Sequence, residues 1–390
     1  MGQWPLYSED QITAVAEVLR SGKVNYWTGE EGRKFETEFA KFCTTNYAIA
    51  LANGTIALEL ALRALDIGPG DEVIVPSRTF LATASSVISC GAVPVFADVD
   101  HATQNITANT IQCVLSPNTK AIIVVHLGGC PCEMDPILDL ASHHNLKVIE
   151  DCAQAHGATY KGRPVGSLGD AGAFSFCQDK IISTGGEGGM LVTNNQSVWD
   201  KAWSYKDHGK SYAAVYHQQH RPGFRWLHES FGTNWRMTEM QATIGRMQLK
   251  KLPEWHLHRS QNAARLTYCF QNLPALRVIQ LPDYIEHAYY KYDVFVQPEY
   301  LKSDWDRDRI MVEINELGVP CFSGPCSEVY LEKAFEKNKL GPVNRLSVAR
   351  ELGNTGLTFL IHPMLTENEL QTTCDVVESV MQECIKKKSA

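Results

Sequence analysis

Gly172-Ala-Phe-Ser-Phe-Cys-Gln-Asp-Lys180-Ile-Ile-Ser-Thr-Gly-Gly-Glu-Gly-Gly189 opens as an apolar run and breaks into a glycine-rich turn around one lysine. The chain restarts at once as a second apolar run, Gly189–Thr193, so Gly172–Phe176 and Gly189–Thr193 are expected to be strands of one hairpin. Just upstream, Lys147–Asp151 has strand length and ends on two carboxylates, Glu150 and Asp151. Further out, Tyr47–Ala52, Glu72–Val75, Val93–Val99 and Ala121–His126 are short and continuously apolar, as strands buried on both faces are. Helical periodicity separates most of them. Gly54–Leu65 sets Leu58, Ala61, Leu62 and Leu65 on one face, and Thr83–Cys90 and Asp135–His144 read alike. Strands alternating with helices predict an α/β fold built on a mainly parallel, seven-stranded sheet with both faces covered.

The pattern changes after about residue 250. Leu276–Leu281 and Tyr289–Gln297 read as strands, and Trp305–Leu317 and Thr366–Lys386 as helices. The expected organisation is a large α/β domain over 26–250 and a smaller α+β domain over 251–390. A capped helix from Ser8 to Ser21, within an N-terminal segment 1–25, is expected to pack with the smaller domain. The last residues, Lys386–Ala390, read as a solvated basic tail.

A formal net charge of −8 argues against a nucleic-acid binder, and any anionic ligand must be held by local donors. No apolar run is long enough to span a bilayer, and the first residues lack a signal-peptide pattern, so the expectation is a cytoplasmic protein. Twelve scattered cysteines are expected to be buried free thiols. His126 with Cys130 and Cys132 is the one metal-like grouping, but its C-x-C spacing lacks a second pair, and no metal is expected.

In open α/β sheets ligands gather beyond the carboxyl ends of strands, and four features fall there. Asn53-Gly54-Thr55 opens a helix after a strand, where free N–H groups and the helix dipole suit a phosphate; the same tripeptide also makes an ordinary cap. Asp151 at a strand end needs a cationic partner, which a protonated pyridine nitrogen would supply. Gln154 is placed to contact a ring oxygen, while His156 reads as a packed turn histidine. Ser175, five residues before Lys180, offers a hydroxyl to a phosphate, and the Phe80 ring could stack on a flat cofactor. A lysine, a buried carboxylate and phosphate donors are together what pyridoxal phosphate requires.

These pieces, in this order, resemble the sugar aminotransferases of the DegT/DnrJ/EryC1/StrS family, within the fold-type I pyridoxal-phosphate enzymes. The resemblance runs from Trp27–Glu36 through Ala50–Leu58, Glu150–Gly157, Gly172–Gly189 and Asn234–Ala242 to His362-Pro363. It implies that Lys180 binds the cofactor aldehyde and shuttles the proton, and that Asp151 pairs with the pyridine nitrogen. Gly54, Thr55 and Ser175 would hold the phosphate, Gln154 the ring oxygen, and Phe80 and Ala153 would sandwich the ring. Asn234 would reach the phosphate of the other subunit in an obligate homodimer with shared active sites.

The implied reaction is ping-pong transfer of an amino group from L-glutamate to a nucleotide-linked keto-sugar. The favoured substrate is a dTDP-4-keto-6-deoxyhexose, with GDP and UDP next. The 4-amino-4,6-dideoxyhexose product would serve surface polysaccharide such as the lipopolysaccharide O-antigen. Lys206, His208 and Arg225 are the candidate cations for the substrate diphosphate. Two departures bear on substrate choice: Cys177, where many relatives carry histidine or another bulky residue, and the segment Pro320–Tyr330. An amino-cyclitol substrate fits the same residues. A sugar dehydratase of this family would carry histidine in place of Lys180, and a non-catalytic module would be expected to lose Lys180 or Asp151.

Overall fold

The computed structural model describes residues 4–386. The remainder of the expected basic tail and the first three residues lie outside the described residues. The central sheet has seven strands: β1 (Tyr47–Leu51), β2 (Glu72–Pro76), β3 (Val93–Ala97), β4 (Thr119–Val125), β5 (Lys147–Asp151), β6 (Ala171–Ser175) and β7 (Gly189–Thr193). Their order across the sheet is β1-β7-β6-β5-β4-β2-β3. The run β6-β5-β4-β2-β3 is parallel, and β7 is antiparallel to both β6 and β1. The expected hairpin is therefore present, and it lies inside the sheet.

Helix α1 (Glu9–Ser21) precedes the sheet, and helices α2 (Glu31–Phe42), α3 (Gly54–Ala64), α4 (Leu81–Ser89), α5 (Met134–His144) and α6 (Gln196–Lys206) accompany its strands. Val73, Val75, Ile123 and Ile149 of the sheet share one buried cluster with Leu58, Ala61 and Leu62 of α3. Ile74, Ile122, Val124 and Val148 face the other way, into a cluster with Ile137 and Ala141 of α5. Apolar side chains on both faces of each parallel strand explain why these runs lack alternation. Each fully buried aliphatic side chain contributes roughly 1.5–3 kcal/mol, so this double-sided core fixes where the strand ends stand.

Beyond the sheet runs α7 (Glu239–Phe270), 32 residues long and capped by a reciprocal Thr238–Gln241 pair. The change of pattern placed a boundary at 250, but α7 passes through that position unbroken. Its buried positions include Glu239, Gln248 and Arg259, and these polar residues blur the apolar period along the helix. The first part of α7 faces α1, where Lys251 Nζ reaches Ser8 Oγ at 2.8 Å and Asp10 at 3.7 Å. Its last turns enter a separate core with β8 (Leu276–Val278), β9 (Tyr292–Val296), β10 (Cys321–Phe322), β11 (Gly356–Phe359) and the helices α8 (Arg307–Glu316) and α9 (Glu367–Cys384). These four strands form a sheet of order β8-β9-β11-β10. One expectation about the cysteines is corrected here: Cys269 on α7 and Cys374 on α9 form a disulfide, because two packed helices bring their Cα atoms to 5.8 Å. Among the described residues, no helix is long and apolar enough to cross a membrane.

Candidate active site

A cleft of about 1000 Å³ opens at the carboxyl ends of β1, β2, β4, β5 and β6 and is closed on its far side by β9, β10 and β11. Gly54, Thr55, Phe80, Asp151, Ala153, Gln154, Ser175 and Lys180 all line it. The sheet brings together residues spread over 126 positions of sequence, from Gly54 to Lys180.

Asn53 caps α3, its side-chain oxygen accepting from Ile56 N at 3.0 Å. Gly54 and Thr55 follow at the first helical positions, whose N–H groups have no acceptor within the helix. A Cβ at Gly54 would stand 2.5 Å from the Ser175 Cβ, and one at Gly189 would stand 2.3 Å from the Asn53 carbonyl oxygen. Glycine at these two positions lets the helix start sit directly against the Ser175 hydroxyl. The result is a cradle of N–H groups and a hydroxyl shaped for an anion. Gly54→Ala is expected to open this contact, weakening binding of a phosphate-bearing cofactor at least tenfold and costing about 1–3 kcal/mol of stability. Cofactor titration followed by absorbance, with thermal denaturation, checks both.

Asp151 is buried at the end of β5. Its oxygens accept from Thr83 Oγ1 at 2.8 Å and from Ala153 N at 3.1 Å. Burial pushes its carboxyl above the usual range, against the pull of those two donors. Among the described residues no cation lies within ion-pair distance of it. A buried carboxylate in that state calls for a cationic N–H from the cleft. Gln154 Oε1 accepts from Gly128 N at 2.7 Å, which fixes the amide at the cleft wall. Phe80 is 69% exposed at the cap of α4, so a large apolar face is presented to the cleft without a packed partner among the described residues.

Lys180 is held from several sides. Its ammonium lies 3.4 Å from Tyr290 Oη, 4.6 Å from the centre of that ring and 3.9 Å from Asp179. Tyr290 in turn donates its hydroxyl proton to Asp179. Burial first, and Asp179 second, raise the Tyr290 hydroxyl pKa, so it stays a neutral phenol. The Lys180 carbonyl accepts from Trp4 Nε1 at 3.1 Å, so the N-terminal segment clasps the backbone beneath the amine. A flat apolar wall, an anion cradle, a cation-seeking carboxylate and a held amine match the parts of pyridoxal phosphate. On these residues the cofactor fits: Gly54, Thr55 and Ser175 for its phosphate, Asp151 for its ring nitrogen, Phe80 and Ala153 for its faces, and Lys180 for its aldehyde.

Residues outside the earlier expectation also line the cleft: Asp179, Glu187, Tyr290, Lys291, Asp293 and Thr358. Asp293 and Thr358 lie on strands of the second sheet and Tyr290 and Lys291 just before one of them, and nothing local in the sequence joins these four to Lys180. Cys177 is at the cleft, its sulfur 3.7 Å from Glu187, and Phe322, Gly324, Pro325 and Cys326 of the departing segment form a rim.

The four remaining candidates are elsewhere. Lys206 is corrected outright: it is fully buried, its ammonium 2.9 Å from Glu36 and 4.1 Å from the Tyr26 ring centre. An ammonium enclosed in this way serves an internal ion pair and cannot meet a substrate. His208 and Arg225 are exposed and line no part of the cleft of their own chain. Asn234 also lies outside it, bridged through its backbone to Asp207.

His126 is used structurally. Its Nδ1 accepts from Cys132 N at 3.1 Å, which leaves the proton on Nε2, 3.0 Å from Glu150. Glu150 also accepts from the N–H groups of Gly166, Leu168 and Gly169. Although His126, Glu150 and Cys152 cluster within 4.8 Å, the histidine and carboxylate lone pairs are already engaged. His156 is buried between Phe174 and Phe176, and burial lowers its pKa to about 3.

A family model described as the DegT/DnrJ/EryC1/StrS aminotransferase family matches residues 5–378. The spore coat polysaccharide biosynthesis protein SpsC of Bacillus subtilis is 36% identical over 380 residues, 96% of this chain and 95% of that protein. A GDP-perosamine synthase of Caulobacter vibrioides is 38% identical over 91% of this chain and 92% of its own length. The crystal structure of an aminotransferase from Psychrobacter cryohalolentis superposes with a TM-score of 0.97 at 57% identity, covering 98% of this chain and 99% of that one. The chain belongs to the DegT/DnrJ/EryC1/StrS aminotransferase family, pyridoxal-phosphate enzymes of fold type I.

Proposed function

We propose that the chain moves the amino group of L-glutamate to the 4-keto carbon of a nucleotide-linked 6-deoxyhexose, as a homodimer with shared active sites. The observation that carries the reading is the pairing, in one cleft, of the held amine of Lys180 with the cation-free buried carboxylate of Asp151. When bound, pyridoxal phosphate supplies an aldehyde for amine exchange and a cationic ring that draws electrons from the reacting carbon.

The chain supplies the rest. Asp151 keeps the proton on the ring nitrogen, and Phe80 with Ala153 fixes the plane of the ring. Gly54, Thr55 and Ser175 anchor its phosphate. Lys180 Nζ takes the proton from the α-carbon of the amino donor and returns it on the far side of the transferred nitrogen. Its travel is short because Tyr290 Oη and Asp179 hold it at the cleft floor. The same steps in reverse aminate the keto-sugar, which gives ping-pong kinetics.

Sequence reading puts dTDP first; the name of the relative 38% identical supports a GDP-linked sugar. The homodimer is supported by a strip that the single chain leaves bare: Phe224, Trp226 and Phe231 are 76%, 82% and 99% exposed. A second copy would cover it, carrying Asn234, and Arg225 and His208 with it, to the neighbouring cleft.

Incubating the loaded enzyme with L-glutamate and dTDP-, GDP- and UDP-linked 3- and 4-keto sugars is expected to release one 2-oxoglutarate per 4-amino sugar, identified by NMR. Release with none of them, or an amine at C3, overturns the reading. Mixing Lys180→Ala with Asn234→Ala chains is expected to restore activity that neither homodimer has, since one hybrid site is then intact. No recovery, or a monomer by light scattering, would remove the shared site.

A further inference from the structure

Both halves of an aminotransfer handle anions, yet Lys180 and Lys291 are the only Lys or Arg side chains among the described residues that line the cleft. Lys180 is committed to the chemistry. Lys291 begins the turn into β9 and stands over the ring of Tyr290, its ammonium 4.8 Å from the ring centre. Lys180 stands on that same ring at 4.6 Å. Lys291 has no ion pair within 4.0 Å among the described residues, although Asp179 and Asp293 line the same wall. Asp293 is spoken for: it accepts from Gln104 Nε2 at 2.8 Å and from Thr358 Oγ1. Burial lowers the Lys291 pKa, Asp179 opposes this, and Lys180 adds to it.

We infer that Lys291 is the anchor for the carboxylate of the amino donor. This rests on the aminotransferase reading above and adds a residue to it. The donor's α-carboxylate is bonded to the very carbon that loses its proton to Lys180, so its binding cation must stand beside Lys180. Lys291, on the ring that also supports Lys180, meets that condition. A sugar diphosphate is separated from its keto carbon by part of a hexose ring and has to be held farther out, toward the rim at Phe322–Cys326. A partly desolvated ammonium with no internal partner binds a carboxylate by charge-assisted hydrogen bonds, worth roughly tenfold to hundredfold in affinity.

The test uses cofactor-loaded wild type, Lys291→Met and Lys291→Arg. Glutarate, which carries the carboxylates but no amine, is titrated by calorimetry, and dTDP, GDP and UDP are titrated in parallel. Glutarate is expected to bind Lys291→Met at least tenfold more weakly, with Lys291→Arg within about threefold of wild type. Nucleotide diphosphate binding should be unchanged. In single turnovers with L-glutamate, the half-saturating concentration should rise by a similar factor while the limiting rate moves less than threefold. Unchanged glutarate binding in Lys291→Met overturns the assignment, and so does a loss confined to the nucleotide diphosphates. If wild type itself gives no turnover with L-glutamate, the donor reading fails instead, while glutarate binding still reports on Lys291. An unshifted cofactor absorbance band and circular dichroism spectrum show that each variant is folded and loaded.

Discussion

Lys180→Ala is expected to lower amino transfer by at least about 10⁴-fold while leaving the fold intact. In the proposed reaction this amine both exchanges with the cofactor aldehyde and carries the substrate proton. Proton transfer alone accounts for roughly 10²–10⁴-fold, and loss of the nucleophile adds to it. The backbone at 180 does not depend on the amine. Its carbonyl is held by the Trp4 indole and its N–H by the Cys177 carbonyl at 3.1 Å, and both bonds survive in alanine. The thermal midpoint should therefore stay within a few degrees of wild type. Borohydride reduction followed by peptide mass analysis should label the Lys180 peptide in wild type and nothing in the variant. Retention of more than 1% of wild-type turnover would remove Lys180 from its role.

Asp151→Asn should separate catalysis from stability. Losing the partner of a buried cationic N–H costs about 3–5 kcal/mol, so turnover should fall roughly 10²–10³-fold or more. The apoprotein should respond in the opposite sense. Burial raises the Asp151 carboxyl pKa in the folded state, so between the ordinary carboxylate range and that raised value the folded chain binds the extra proton. Stability from this group is therefore greatest at low pH and falls as pH rises through that window. Asparagine carries no charge to desolvate, and it can still accept from Ala153 N and hydrogen-bond Thr83 Oγ1. Apo Asp151→Asn should thus be as stable as wild type or more so at pH 7, with the difference closing as the pH drops below the ordinary carboxylate range. Adding pyridoxal phosphate should stabilise wild type more than the variant. Thermal denaturation of apo and loaded forms at several pH values measures all three, and an apo variant melting far below wild type at pH 7 would contradict the account.

Much of the candidate cofactor site was legible along the chain because most of its parts sit at a strand end or helix start with a local signature. Asn53-Gly54-Thr55 is a turn followed by a helix, Asp151 ends an apolar run, and Lys180 stands five residues after Ser175, just ahead of a glycine-rich turn. One of the three cations proposed for the diphosphate failed, because local reading carries no depth. Lys206 sits in an ordinary polar stretch of sequence, yet α6 turns it inward onto Glu36 and Tyr26. Lys291, by contrast, lies in a strand-like run that offered no reason to single it out. Helix α7 was missed for a related reason: its buried polar residues interrupt the apolar period that marks a helix.

The sequence by itself determined the mainly parallel sheet and the hairpin within it, because strand periodicity and turn glycines are set by neighbours a few residues away. Tertiary structure alone decided which residues from the second sheet face the cleft. It alone paired Cys269 with Cys374, and it sealed Lys206 away while leaving Lys291 without an ion-pair partner among the described residues. Those outcomes depend on burial and on contacts between segments a hundred or more residues apart, and packing, not local pattern, sets both.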